Sequence, residues 1–129
     1  MIEYLDEDKV RQLVTIGDLI PAMAEALTAF SAGRVDQPVR QFVGIEEFGG
    51  FFALMPAVGN DIGVKLATLF PGNPDRGLPT VHALIVLFDR ETGRPSAVMD
   101  GHLITEMRTA AVSAVATGLL AAPDARVLG

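Results

Sequence analysis

The chain has 129 residues, half of them hydrophobic, no cysteine, a net charge of −6 and a pI near 4.7. That length suits one domain with a real core. The acidity argues against nucleic acid, which is bound through Lys and Arg contacts to phosphate, and the lack of cysteine removes disulfides and thiolate metal sites.

In chain order, Met1 to Leu5 reads as a short strand, and Asp6 starts a brief helical turn through Val10 and Leu13. The acidic start lacks the basic and apolar regions of a signal peptide, so the cytoplasm is the expected compartment. Thr15 with Asp18 three residues on resembles a capping box. Leu19, Met23, Ala26, Leu27 and Phe30 then fall on one helical face, with Pro21 expected in the first turn and Gly33 as the stop. From Pro38 the pattern becomes extended. Strands are expected over Val39 to Ile45, Phe51 to Val58, Ile62 to Phe70, Val81 to Phe88 and Ser96 to Met99, joined by turns rich in Gly, Pro, Asn and Asp. Short connections imply antiparallel meanders. Asp100 can cap a last helix in which Ile104, Met107, Ala111, Ala114, Val115 and Gly118 share a face. Pro123 to Gly129 reads as the beginning of another strand. The longest uncharged run, Thr109 to Pro123, is shorter than the ~20 residues of a membrane span, so no membrane partner is expected. The expected fold is α+β: a mostly antiparallel, barrel-like sheet flanked by two longer helices. A mean hydropathy of +0.37 is high for so short a chain, so some apolar surface is expected to be covered by a second subunit or a further domain.

Three cations stand where charge is unexpected. Lys65 lies within an apolar strand, with Gly63, Ala67 and Leu69 as its same-face neighbours. It is either an edge lysine that discourages aggregation or a functional charge with a shifted pKa. Arg40 shares a face with Phe42 and reads alone as a surface arginine. Arg108 sits in an apolar helix beside Thr109, Ala110 and Ala111, which leave room for a carboxylate or phosphate to reach its planar fork; the alternative is an ion pair with Glu106 or Asp100. His82 reads as a core or supporting histidine, His102 as a cap, and no spacing suits a metal. No serine has a nucleophile-elbow context and no glycine-rich nucleotide fingerprint occurs. Convergent cations without an acid, base or nucleophile set are the means to hold a small anion.

The blocks Pro-Val-Arg (ending at Arg40), Leu-Met-Pro (54–56), Gly-Val-Lys-Leu-Ala-Thr-Leu-Phe-Pro-Gly-Asn (63–73), Leu-Pro-Thr-Val-His (78–82), Leu-Phe-Asp (87–89) and Leu-Ile-Thr-Glu-Met-Arg-Thr-Ala-Ala (103–111) follow in an order that resembles the ornithine cyclodeaminase/mu-crystallin family. The resemblance implies a substrate-binding and dimerisation domain over residues 1–122, and at 123–129 the approach to a Rossmann domain that lies outside this sequence. It implies a nicotinamide cofactor, NAD or NADP, held mainly by that other domain, a homodimer, and a small carboxylate-bearing substrate. By the same resemblance Arg40 and Arg108 match arginines that clamp the substrate carboxylate. Lys65 matches the catalytic lysine that reaches the carboxylate or the reacting nitrogen, and Thr80 matches a threonine near the pocket. Arg108 with Thr109 is implied to lie near the nicotinamide, and an aspartate at the amine or imine would come from the other domain.

One departure bears on substrate. Members acting on ornithine tend to carry a glutamate just before Leu-Met-Pro, whereas this chain has Ala53. A methyl group gives a second ammonium no partner, which disfavours ornithine cyclodeaminase activity. The resemblance then implies an imine reductase or amino-acid dehydrogenase for a smaller or more apolar acid. The alternatives are a mu-crystallin-like module that holds an aromatic ligand near Phe51, Phe52 and Phe70, or a dimerisation module alone.

Overall fold

The computed structural model describes residues 2–127. Asp6 opens the first helix, α1 (Glu7–Leu13), by accepting the Lys9 N–H at 2.9 Å, with Glu7 and Asp8 against the positive end of the helix dipole. Thr15 caps α2 (Ile16–Ser31): its hydroxyl accepts the Asp18 N–H at 3.2 Å and donates to the Asp18 carboxylate at 2.5 Å. Pro21 lies in the second turn of α2, not the first. Its missing N–H leaves the Gly17 carbonyl without its helical donor, at an exposed place on the helix. Gly33, at φ +71°, ends the segment in the left-handed conformation.

Before the sheet proper lies β1 (Glu3–Leu5). The rest is β2 (Gln41–Ile45), β3 (Gly50–Val58), β4 (Ile62–Leu69), β5 (Val81–Phe88) and β6 (Pro95–Asp100). Together they make one six-stranded sheet in the order β1-β6-β5-β4-β3-β2. All neighbours are antiparallel except β1, which runs parallel to β6. The edges β1 and β2 are not paired with each other, so the sheet is open within one chain. β2 starts two residues later than expected, its pairing beginning at Gln41 opposite Leu54; Val39 is 91% exposed.

The last helix, α3 (His102–Leu120), begins where the Asp100 carboxylate accepts the His102 N–H at 2.8 Å. Gly101 approaches the sheet so closely that its N–H donates to the Ala83 carbonyl at 2.8 Å. With 19 residues, α3 is long and apolar enough by length and composition to cross a membrane. The expected shorter span counted only the uncharged run, whereas the helix includes Glu106 and Arg108. Here α3 packs on α1, α2 and β5, with Leu103 and Ala111 buried. Leu27 and Phe30, expected on the inner face of α2, are 40% and 51% exposed. The expected strand after Pro123 does not form over 125–127, where no ladder partner exists; Met1, Leu128 and Gly129 lie outside the described residues.

Candidate functional site

β4 runs through the middle of the sheet, and its alternation sorts side chains onto two faces. Gly63, Lys65, Ala67 and Leu69 share one face. Lys65 stands opposite Met55 of β3 and Ile85 of β5. α3 lies on this face: the Lys65 ammonium donates to the Thr105 hydroxyl at 3.5 Å, and Thr105 donates onward to the Gly101 carbonyl at 2.6 Å. Arg40, just before β2, lines the same hollow as Lys65 and Phe42. Arg108 is three residues beyond Thr105 on α3, a spacing that keeps both on one helical face.

Arg108 is outside the lining of that hollow, but its charge, like that of Arg40, reaches Lys65. Burial pushes the Lys65 ammonium below its ordinary value of 10.5, and the positive charges of Arg108 and then Arg40 push it the same way. Among the described residues, the ion pairs are Arg11–Glu7 at 2.6 Å and His102–Glu106 at 3.5 Å. Neither involves Arg40, Lys65 or Arg108, and Glu106, the alternative partner for Arg108, turns to His102. The structure therefore brings together three cations with no carboxylate at ion-pair distance. An anion placed among them relieves their mutual repulsion and restores the ordinary preference of Lys65 for its charged form.

The hollow has a volume of about 550 Å³. Apart from Arg40, Lys65 and Thr68 its lining is apolar, with Phe42 and Phe51 on one side. Ala53 stands in it, in the position discussed above for a second ammonium. Thr80 is outside the lining, at the bend before β5, where its carbonyl accepts the Phe70 N–H at 2.8 Å. Thr109 is exposed on α3 and its hydroxyl donates to the Thr105 carbonyl at 2.6 Å. Of the three aromatics expected around a ligand only Phe51 is there. Phe52 alternates onto the opposite face, and Phe70 lines a separate hollow with Asn73 and Arg76.

On that opposite face Thr68, His82, Leu84 and Asp100 line a second hollow of about 360 Å³. His82 is exposed there, not in the core. Among the described residues no group of three His, Asp or Glu side chains is arranged to hold a metal ion. Thr105 and Phe42 were not singled out from the sequence. Each carried one legible signal, Thr105 its three-residue spacing from Arg108 and Phe42 its place on the same strand face as Arg40.

Known proteins are similar to this chain in sequence and in fold. Mouse (Mus musculus) ketimine reductase mu-crystallin is 43% identical over 116 residues, covering 85% of this chain and 37% of the relative. The structure of Thermococcus litoralis Δ1-pyrroline-2-carboxylate reductase in complex with NADH and L-proline superposes with a TM-score of 0.93 at 34% identity, covering 97% of this chain and 40% of that one. An archaeal alanine dehydrogenase dimer with bound NAD gives a TM-score of 0.94 at 35% identity, covering 99% of this chain and 40% of that one. The chain thus spans about two fifths of the length of these relatives. Residues 3–129 match the family model for ornithine cyclodeaminase/mu-crystallin, and the chain belongs to that family.

Proposed function

We propose that this chain is the substrate-holding portion of a nicotinamide-dependent oxidoreductase that interconverts a small imino acid and its amino acid. The observation that carries the reading is that Arg40 and Lys65 line an apolar hollow, that the charge of Arg108 on α3 reaches Lys65, and that none of the three is in an ion pair among the described residues. A guanidinium grips a carboxylate through two parallel N–H donors, which fixes direction as well as charge. Holding the carboxylate fixes the adjacent imine carbon, and orientation of that kind lowers a bimolecular barrier. Lys65, already inclined to lose its proton, stands within reach of the carboxylate or the reacting nitrogen. NAD or NADP, when bound, supplies the hydride chemistry. On this chain Arg108 and Thr109 are the residues proposed beside it, Thr109 because its hydroxyl oxygen stays free to accept from an amide while its proton goes to Thr105. The glycine cradle that such a dinucleotide needs is assigned to the remainder of the protein, and the working unit is taken to be a cytoplasmic homodimer.

Replacing Arg108 with alanine in the full-length protein is expected to raise KM and lower kcat together, with kcat/KM down by at least ~10-fold, the loss of one charge-assisted contact. Steady-state rates equal to the unaltered enzyme's exclude the clamp. A second reading, a protein that holds an aromatic acid without turning it over, is favoured by Phe42 and Phe51 in the wall. Turnover by the intact protein separates the two.

A further inference from the structure

The hollow is lopsided in a way that the carboxylate clamp does not explain. Along β4 the residues facing it are Lys65, Ala67 and Leu69, each about 7 Å from the next at strand spacing. The neighbouring strands extend each position into a row. Met55 and Ile85 flank Lys65, Ala53 and Ala83 flank Ala67, and Phe51 and Val81 flank Leu69. The first row carries charge, since Arg40 and Arg108 both act on Lys65. The second is the floor, where Ala53 and Ala67 line the hollow while Ala83 is covered by Gly101 at the start of α3. The third is a wall of large apolar groups, with Phe51 47% and Leu69 39% exposed to the hollow and its mouth.

We propose that Ala67 sets the size of the side chain the protein accepts, and that the preferred ligand is an acid with an extended uncharged chain or ring. The proposal rests on the reading of Arg40, Lys65 and Arg108 as a carboxylate clamp. With the carboxylate on the cation row, a ligand's carbon chain passes over Ala67 toward Phe51 and Leu69. A one-carbon chain stops short of the third row and leaves that wall without contacts. A chain ending in an ammonium meets no Asp or Glu in the lining, and one ending in a second carboxylate meets no cation beyond the first row. Ala67 is the central residue: it stands between Lys65 and Leu69 and beside Ala53, so a larger side chain there fills the floor between the charged row and the apolar wall.

The test uses the full-length protein and 2-oxo acids as probes, with binding read by isothermal titration calorimetry. Pyruvate, 2-oxobutyrate, 2-oxohexanoate and phenylpyruvate form the series, and 2-oxoglutarate tests a terminal charge. Each buried methylene tightens Kd by up to about fourfold, so 2-oxohexanoate and phenylpyruvate are expected to bind at least about tenfold tighter than pyruvate, and 2-oxoglutarate no tighter than pyruvate. Ala67→Leu is expected to weaken the long and aromatic acids by about tenfold or more while pyruvate stays within about threefold. Pyruvate binding as tightly as the longer acids overturns the proposal without any variant. So does an Ala67→Leu protein of unchanged melting temperature that weakens every acid alike. In either case the clamp itself stands if Lys65→Met weakens all the acids. If no acid binds at all, and Lys65→Met changes nothing, the clamp fails and the Ala67 assignment falls with it.

Discussion

Lys65 concentrates the physics of the site in one side chain. Its ammonium is half-buried, touches one hydroxyl oxygen, and has two arginines nearby instead of an acid. Its pKa in the folded chain lies below the 10.5 of the ordinary side chain. Between those two values the unfolded chain binds more protons than the folded one, so stability rises with pH across that window. The contribution is complete above 10.5 and is lost as pH falls through the folded value. Two outcomes follow at this scale. Lys65→Met is expected to raise the melting temperature of the unliganded protein and to abolish the stabilisation given by pyruvate or phosphate, both read by thermal shift; an unliganded melting temperature that falls contradicts the account. Pyruvate binding in the alkaline range below 10.5 is expected to take up protons, because the anion restores the ammonium. Calorimetry in buffers of different ionisation enthalpy measures that uptake, and zero uptake counts against Lys65 as the anion's partner. Lys65 and Arg108 were legible in the sequence because a charge among apolar or small residues must find a reason, whereas Arg40 alone reads as a surface arginine and was singled out by the family resemblance. Ala67 was not legible, since an alanine inside an apolar strand carries no signal until its cross-strand neighbours are known.

The elements were readable wherever one local interaction decides them. Thr15 and Asp18 announce the start of α2 and make the bonds expected of a cap, so Thr15→Ala is expected to cost about 1 kcal/mol in chemical denaturation. An unchanged midpoint means that water replaces the cap without loss. Asp89 shows the same local logic: hydrogen bonds from the Thr92 hydroxyl and N–H, at 2.5 and 2.8 Å, hold its carboxyl below the ordinary value and shape the turn between β5 and β6. The start of α3 is different, because it depends on a distant contact. A Cβ added at Gly101 would lie 2.9 Å from the Ala83 Cβ and 3.1 Å from its carbonyl carbon. Backbone cannot yield as a side-chain tip can. Gly101→Ala is therefore expected to cost about 1–3 kcal/mol and to lift the first turn of α3, which carries Thr105, away from Lys65. A normal melting temperature together with undisturbed acid binding goes against that contact. No reading of local sequence shows it, since Gly101 has a negative φ that any residue adopts.

For the molecule as a whole, the high apolar content has a structural counterpart. The buried hydrophobic core comprises Val10, Ala53, Ala83, Leu103 and Ala111, mostly small side chains, while Leu13, Val43, Phe48, Leu119 and Leu120 are all more than half exposed. Exposed apolar groups on this scale mark surfaces meant for a partner. The 129-residue chain alone is expected to associate or to precipitate, and the full-length protein to run as a dimer in size-exclusion chromatography with light scattering. A monodisperse monomer of the 129-residue chain at tens of micromolar contradicts this.

The strands, the two long helices, the family, Lys65 and Arg108 could be read without coordinates, because each is written in local periodicity, in a capping residue, in the order of short motifs or in a charge out of place; Arg40 came with the family. Only the coordinates showed that Arg40 and Lys65 line one hollow within reach of the charge of Arg108, that Phe51 faces it while Phe52 does not, and that Ala53 and Ala67 form its floor. These are matters of register: a strand alternates faces every residue, and only pairing with its neighbours fixes which side chains end in the same hollow.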